Sequence, residues 1–197
     1  MADFGTLCLF VALATAGWAA IASYNGWRAG SGQLVLSGER AVHATWGLVT
    51  LSILALEYCI FTDQFDLEYV ASYSNRALPP VYKVTALWAG QSGSILFWLF
   101  ILASYTAAIV LFNRRRNRPL MPVVTTTMAL VTLFFLLLVN FMTRPFVRLA
   151  FTPIDGNGMN PSFRTRSWRS ILRASISATS GSPCRSPSPW RPWRPAS

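Results

Sequence analysis

Four long apolar runs divide the first 142 positions, and each is long enough to cross a membrane as a helix: about residues 4–24, 41–61, 94–112 and 120–142. At 1.5 Å rise per residue the first run reaches roughly 31 Å, the thickness of a hydrocarbon core. Backbone inside lipid must satisfy its own hydrogen bonds, so these runs are expected to be helices. Pro122 fits because it falls in the first turn of the fourth. The first run lacks the basic start of a cleaved leader, with Asp3 as its only preceding charge, and is expected to be retained. The pattern therefore predicts an all-α polytopic membrane protein of about four transmembrane helices, with a polar loop over residues 62–93.

Composition sharpens this picture. The chain has 197 residues, 53% hydrophobic and 12% charged, too few polar side chains to cover a soluble globule of this size. The net charge of +10 is unevenly spread: residues 161–197 carry seven arginines and no acid, and residues 1–160 carry only a small excess of basic groups. Cys8, Cys59 and Cys184 form no metal-binding or haem-attachment spacing, and the first two read as small packing residues. No catalytic constellation, nucleotide-binding loop or metalloprotease motif occurs. Neither catalytic nor metal-ligating residues are assigned.

Arg114, Arg115, Arg116 and Arg118 lie between the third and fourth runs, whereas Arg76 and Lys83 in the 62–93 loop are offset by Asp63, Asp66 and Glu68. Cytoplasmic loops collect Lys and Arg. The arginine cluster is thus placed inside, with the N-terminus, the 62–93 loop and everything after Met142 outside, in the periplasm of a bacterium. Topology accounts for the cluster without nucleic acid. Within the outer loop, Pro79 and Pro80 open a short helix whose Val81, Val84, Leu87 and Trp88 share a face suited to the membrane interface. Trp88 and Trp98 bracket the entry to the third run, as in an aromatic belt. Alternatively Trp88 offers a flat surface to a planar ligand, Gly90 and Gly93 let that ligand or a helix approach the backbone, and Arg76 and Lys83 meet its carboxylates.

The run from Tyr69 through Asn75-Arg76, Leu78-Pro79, Tyr82-Lys83, Trp88-Ala89-Gly90-Gln91-Ser92-Gly93-Ser94 and Trp98 resembles the N-terminal region of the CcmF/NrfE family of cytochrome c biogenesis haem lyase subunits. The likeness extends over about residues 1–161, including Asn140-Phe141, Pro145-Phe146 and Asp155-Gly156-Asn157-Gly158-Met159-Asn160-Pro161. It implies a multi-pass protein of the inner membrane that works in lipid with a haem chaperone, other maturation subunits and apocytochrome c. It implies haem as the cofactor, with Trp88, Gly90, Gly93 and Arg76 near its site on the periplasmic side. The family's haem-ligating histidines, one in an H-P-P motif, are not encoded in this chain.

The likeness stops after Pro161. The segment that follows is rich in Ser, Arg and Pro, a mixture that forms neither a helix pattern nor an ordinary linker and is expected to be disordered. Read one base out of frame with free choice of synonymous codons, Ser162–Arg166 becomes L-Q-N-P and Trp168–Ala174 becomes A-I-H-P-P, strings that look like the family's next motif. The expectation is a frame-shifted, truncated family member, non-catalytic by itself, and the nucleotide sequence around codons 160–163 tests it.

Other polar residues have ordinary readings beside functional ones. His43, the only histidine, packs near the inner end of the second run. Glu57 is a carboxylate at membrane depth, Asn140 joins helices, and Arg144 and Arg148, taken as neighbours one helical turn apart, meet haem propionates or lipid headgroups. One rival reading is a small transporter or channel subunit with a polar path around Glu57 and Asn140, and another is a basic-tail protein that binds nucleic acid or anionic lipid through residues 162–197.

Overall fold

A computed structural model describes residues 1–113 and 118–158. The expected tail, residues 162–197, lies outside the described residues, as does most of the arginine cluster. Six helices and a π-helical turn follow one another: α1 (Ala2–Ala29), α2 (Gly32–Phe61), α3 (Glu68–Tyr73), α4 (Pro80–Ala86), α5 (Gln91–Asn113), α6 (Met121–Leu137) and the π-turn Leu138–Thr143. Four helical segments, the last running from Met121 to Thr143, are long and apolar enough to cross a membrane. The protein is an all-helical multi-pass membrane protein.

The first two spans exceed their apolar runs. Residues 25–40, which lie between the first two apolar runs, are helical except at Gly30 and Ser31. Hydropathy marks the part of a helix that sits in lipid, and Leu34, Val35 and Leu36 carry α2 on beyond it. Gly30 makes the reversal possible: at φ 63° it takes the left-handed conformation, its N–H donates to Trp27 O, and Ser31 N–H donates to Gly26 O at 3.0 Å. These two bonds satisfy carbonyls that the end of α1 would otherwise leave open.

α1 packs along α2 and α6, and α5 packs against α2 and α6. Small residues set the closeness of the first pair. A Cβ on Gly38 would strike the Ser23 hydroxyl, and Gly38, Ser23, Ala19 and Ala22 are all buried. Such residues let helices approach where lipid supplies no hydrophobic drive. At the bundle centre Ala16 and Ala19, Val42 and Thr45, Ala103 and Thr106, and Ala129 and Thr132 enclose a void of only about 10 Å³, the order of one water. Thr45, Thr106 and Thr132 return their hydroxyl protons to their own helices, on Ala41 O, Leu102 O and Met128 O.

The N-terminus, the 62–93 segment and the stretch after α6 meet at one end of the bundle, as four passes require. Phe146 fills the space above Gly5. Leu67 and Arg148 form an antiparallel bridge, with Glu68 N–H donating to Val147 O at 2.9 Å and Leu149 N–H to Asp66 O at 2.8 Å. Arg148 also pairs with Asp3 at 2.6 Å, but the two side chains are 52% and 85% exposed. Exposed pairs contribute about 0–1 kcal/mol. Arg148→Gln is therefore expected to shift SDS-induced unfolding in mixed micelles by less than about 1 kcal/mol.

Two expectations change here. Arg144 and Arg148 are not neighbours on a helix, because the helix ends at Arg144, which adopts φ 37° and ψ 71° after the π-turn. Pro145 has no N–H with which to continue the ladder. Lys83 is not free for a ligand carboxylate, because its ammonium lies 2.7 Å and 2.8 Å from the two carboxylate oxygens of Asp63 at the end of α2.

Candidate functional site

The cap formed by residues 62–93 and 144–158 gathers most of the residues singled out in the sequence. α4 begins at Pro80, and Pro79 accepts from Tyr82 N–H at 2.9 Å and Lys83 N–H at 3.2 Å. Lys83 and Ala86 face inward, while Val81 and Val84 are 73% and 45% exposed. Leu87 departs from its expected place on the outward face: it is buried, because the chain turns there toward α5. Trp88 stands on this turn, 46% exposed, its ring 5.5 Å from Phe97 on α5. Trp98 is 64% exposed one residue further on, so the two indoles flank the start of α5 from outside.

Inside the turn that carries Trp88 lies the buried Tyr69, which the sequence marked only as the start of the family-like run. Its phenol is within 2.9 Å of Ala86 O and 2.8 Å of Leu87 O, and it accepts from Gly90 N–H at 3.3 Å. One hydroxyl thus holds the last carbonyls of α4 and an amide just before α5. Burial holds this phenol well above the ordinary tyrosine range, with Tyr73 and Glu57 adding to the shift and the Gly90 amide opposing it. It therefore stays a proton donor at any physiological pH. The tilted Tyr73 ring sits 5.0 Å from that of Tyr69.

These two rings occupy the space that Gly90 and Gly93 leave open. A Cβ on Gly90 would enter the Tyr73 ring, and one on Gly93 would strike Leu87 O and the Tyr69 hydroxyl. The glycines serve close packing of the cap on itself; the surface left for a planar ligand is the exposed face of Trp88. Arg76 is exposed, its guanidinium 5.9 Å from the Phe65 ring centroid, a cation–π contact. Its backbone N–H donates to Asp155 Oδ1 at 3.1 Å. Asn157 N–H and Gly158 N–H donate to Ala71 O and Ser74 O at 2.8 and 3.2 Å, so the Asp-Gly-Asn-Gly segment closes the end of α3. Gly158 takes φ 72° in doing so.

The remaining residues are spread through the bundle. His43 lies half-buried on α2, its Nδ1 2.8 Å from Glu39 O. Glu57 faces the cap from α2, and both its carboxylate oxygens are buried without a hydrogen-bond partner among the described residues. Asn140 donates to Leu136 O at 2.8 Å and reaches toward Leu9 O at 3.4 Å. The void at the bundle centre, walled by Ala, Val and back-bonded Thr, is lined by neither Glu57 nor Asn140. No group of three or more His, Cys, Asp or Glu able to hold a metal comes together among the described residues. Cys8 and Cys59 are buried and unpaired.

The fold and its cap define a polytopic helical membrane protein with an aromatic, glycine-containing platform at one end. No family model matches the chain. The chain is 34% identical over 166 residues to the cytochrome c-type biogenesis protein NrfE of Haemophilus influenzae, covering 81% of this chain and 25% of that one. It is 32% identical over 161 residues to CcmF of Pseudomonas aeruginosa, covering 81% and 24%, and 32% identical over 161 residues to CcmF of Escherichia coli, covering 80% and 24%. Its fold is similar to a solved structure of cytochrome c heme lyase CcmF, with TM-score 0.67 and 23% identity over 74% of this chain and 24% of that chain. The chain belongs to the CcmF/NrfE family of cytochrome c-type biogenesis proteins, and it spans about a quarter of the length of the curated relatives it matches.

Proposed function

We propose that this bundle serves cytochrome c maturation as the N-terminal part of a haem-handling membrane unit, and that its cap faces the periplasm across the bacterial inner membrane. In this reading haem lies against the exposed face of Trp88, and Arg76, fixed beside Phe65 and the 155–158 strap, is the group available to a propionate. Apocytochrome c, a haem chaperone and other maturation subunits approach from the cap side. The described residues provide a platform rather than axial ligands or catalytic groups.

The observation that supports this best is the cap itself. The stretch that carries the family likeness, residues 69–98, folds around Tyr69 so that Gly90 and Gly93 are closed off and Trp88 is left outward. The close-packed bundle centre speaks against the transporter reading, because a solute route needs polar, water-sized space.

The test is a graft. Residues 1–158 replace the matching part of Escherichia coli CcmF in cells lacking their own, and holocytochrome c is measured by haem staining. The unaltered graft is expected to support maturation. Trp88→Ala is expected to lower it roughly thirtyfold, the loss of about 2 kcal/mol that an aromatic contact at the centre of an interface carries. Labelling of Trp88→Cys by a membrane-impermeant maleimide added outside the cell fixes the orientation. Full maturation by the Trp88→Ala graft, or labelling only after lysis, rejects the assignment.

A further inference from the structure

Two cavities meet at one side chain, Arg144. On one side an apolar cleft of about 270 Å³ lies between α1 and the π-turn, walled by Leu9, Phe10, Phe141 and Phe146. On the other side a polar hollow of about 340 Å³ is bordered by Glu68, Ser72, Tyr73 and Ser92. Each is near the size at which small-molecule sites begin, about 300 Å³. Arg144 follows directly on the helical segment Met121–Thr143, so both cavities lie at the end of a helix long and apolar enough to cross a membrane.

Two cations of the cap are already paired. Lys83 is bound to Asp63, and Arg148 to Asp3. Arg144 and Glu68 border the same hollow, yet neither enters an ion pair among the described residues. Their backbones are fixed all the same. Ser92 donates its hydroxyl proton to Thr143 O at 2.8 Å, Arg144 N–H closes the π-turn on Val139 O at 3.0 Å, and Glu68 N–H is held by Val147 O. Arg144 is also kept at φ 37°, a left-handed conformation that a non-glycine residue rarely adopts. Such outliers persist where the surrounding structure over-determines them. The result is an ordered series across the interface: an apolar slot, a cation, then an anion among hydroxyls.

We propose that this series is a binding site for one ethanolamine phospholipid. An acyl chain fills the cleft beside Phe10 and Phe141, and the phosphate accepts from the Arg144 guanidinium. The primary ammonium donates to the Glu68 carboxylate and to the hydroxyl oxygens of Ser72 and Tyr73. A guanidinium suits phosphate through its fork of donors, and a primary ammonium carries three N–H donors where a choline headgroup carries none. The site therefore selects ethanolamine over choline lipids through Glu68, and phospholipids over uncharged lipids through Arg144. It is separate from the exposed face of Trp88 and does not depend on haem.

The experiment uses the whole chain in detergent, equilibrated with equimolar dioleoyl phosphatidylethanolamine, phosphatidylcholine and phosphatidylglycerol together with dioleoylglycerol, and reads retained lipid by native mass spectrometry. One phosphatidylethanolamine is expected per chain, favoured about tenfold over phosphatidylcholine, which corresponds to about 1.4 kcal/mol. Glu68→Gln is expected to abolish that preference while phospholipid is still retained. Arg144→Gln is expected to lower retention of all three phospholipids about tenfold, and Arg148→Gln to change nothing. Thr6→Trp, which fills the cleft from α1 without altering charge, is expected to exclude lipid and covers the case in which an Arg144 variant fails to accumulate. Equal retention of the ethanolamine and choline lipids by the unaltered chain overturns the assignment, as does undiminished retention by Arg144→Gln or Thr6→Trp. Displacement of the lipid by equimolar protoporphyrin IX overturns it in favour of a porphyrin carboxylate.

Discussion

Gly93→Ala is expected to destabilise the bundle by about 2–3 kcal/mol, measured as the shift in SDS-induced unfolding followed by tryptophan fluorescence. The added methyl would fall on the carbonyl oxygen of Leu87 and the hydroxyl of Tyr69. A carbonyl in the turn between α4 and α5 cannot swing aside as a flexible side chain can, so the turn itself must move. The Tyr69 hydroxyl then loses its place between Ala86 O, Leu87 O and Gly90 N–H, and unsatisfied buried groups add about 1–3 kcal/mol each. Gly47→Ala is the internal control, because a Cβ there meets nothing within 4 Å. Adding Tyr69→Phe to Gly93→Ala removes the hydroxyl but leaves the ring carbon Cζ 2.7 Å from the added methyl and the Leu87 carbonyl in place, so it is expected to recover only a minor part of the loss. Full recovery would show that the tyrosine, not the backbone, sets the limit.

That contrast also shows what could be read in the sequence and what could not. Four spans follow directly from apolar runs, because a bilayer imposes one length and one hydrogen-bonding solution on any segment within it. The length of α1 and α2 beyond the apolar runs does not follow, since residues 25–40 mix polar and glycine positions with Trp27 and Leu34–Leu36 yet are helical except at Gly30 and Ser31. Pro79 and Pro80 announce α4 through local chemistry. The residues that hold the cap together carry no such signal. Tyr69 and Gly93 are 24 positions apart, and only the fold reveals that the phenol of one fills the gap left by the other. A glycine in the sequence says that space is needed near the backbone; it does not say what uses the space. Ligand approach and internal packing gave Gly90 and Gly93 the same sequence signature, and the structure gives that space to Tyr73 and Tyr69. Lys83 misled in a similar way. A lysine in a loop next to a membrane usually meets headgroups or solvent, but this one is only 9% exposed, with Asp63 across from it. The exchange of Arg144 from a helical to a left-handed residue was equally hidden, because the apolar run before it reads as unbroken α-helix and carries no mark of the π-turn.

Asp63→Asn tests the other fixed point of the cap. The substitution keeps the size of the side chain and a residue type that tolerates the left-handed backbone at φ 53°. What it removes is the charge facing Lys83, leaving an ammonium whose side chain is 9% exposed without its partner. Breaking a fully buried pair from one side costs about 3–5 kcal/mol. The Asp63 side chain is 25% exposed, so solvent relieves part of this and about 2–3 kcal/mol is expected here. Lys83→Met should cost less, about 1 kcal/mol, since the partly hydrated Asp63 is the group left behind and the methionine chain fills the lysine's place. Combining the two changes is expected to restore stability to within about 1 kcal/mol of the unaltered protein, because neither position then carries a charge. The pair should also resist salt, unlike the exposed Arg148–Asp3 contact, because ions screen what water reaches. If Asp63→Asn costs no more than Arg148→Gln under the same conditions, Lys83 is hydrated in the membrane, and its pairing with Asp63 does not hold α4 to the end of α2.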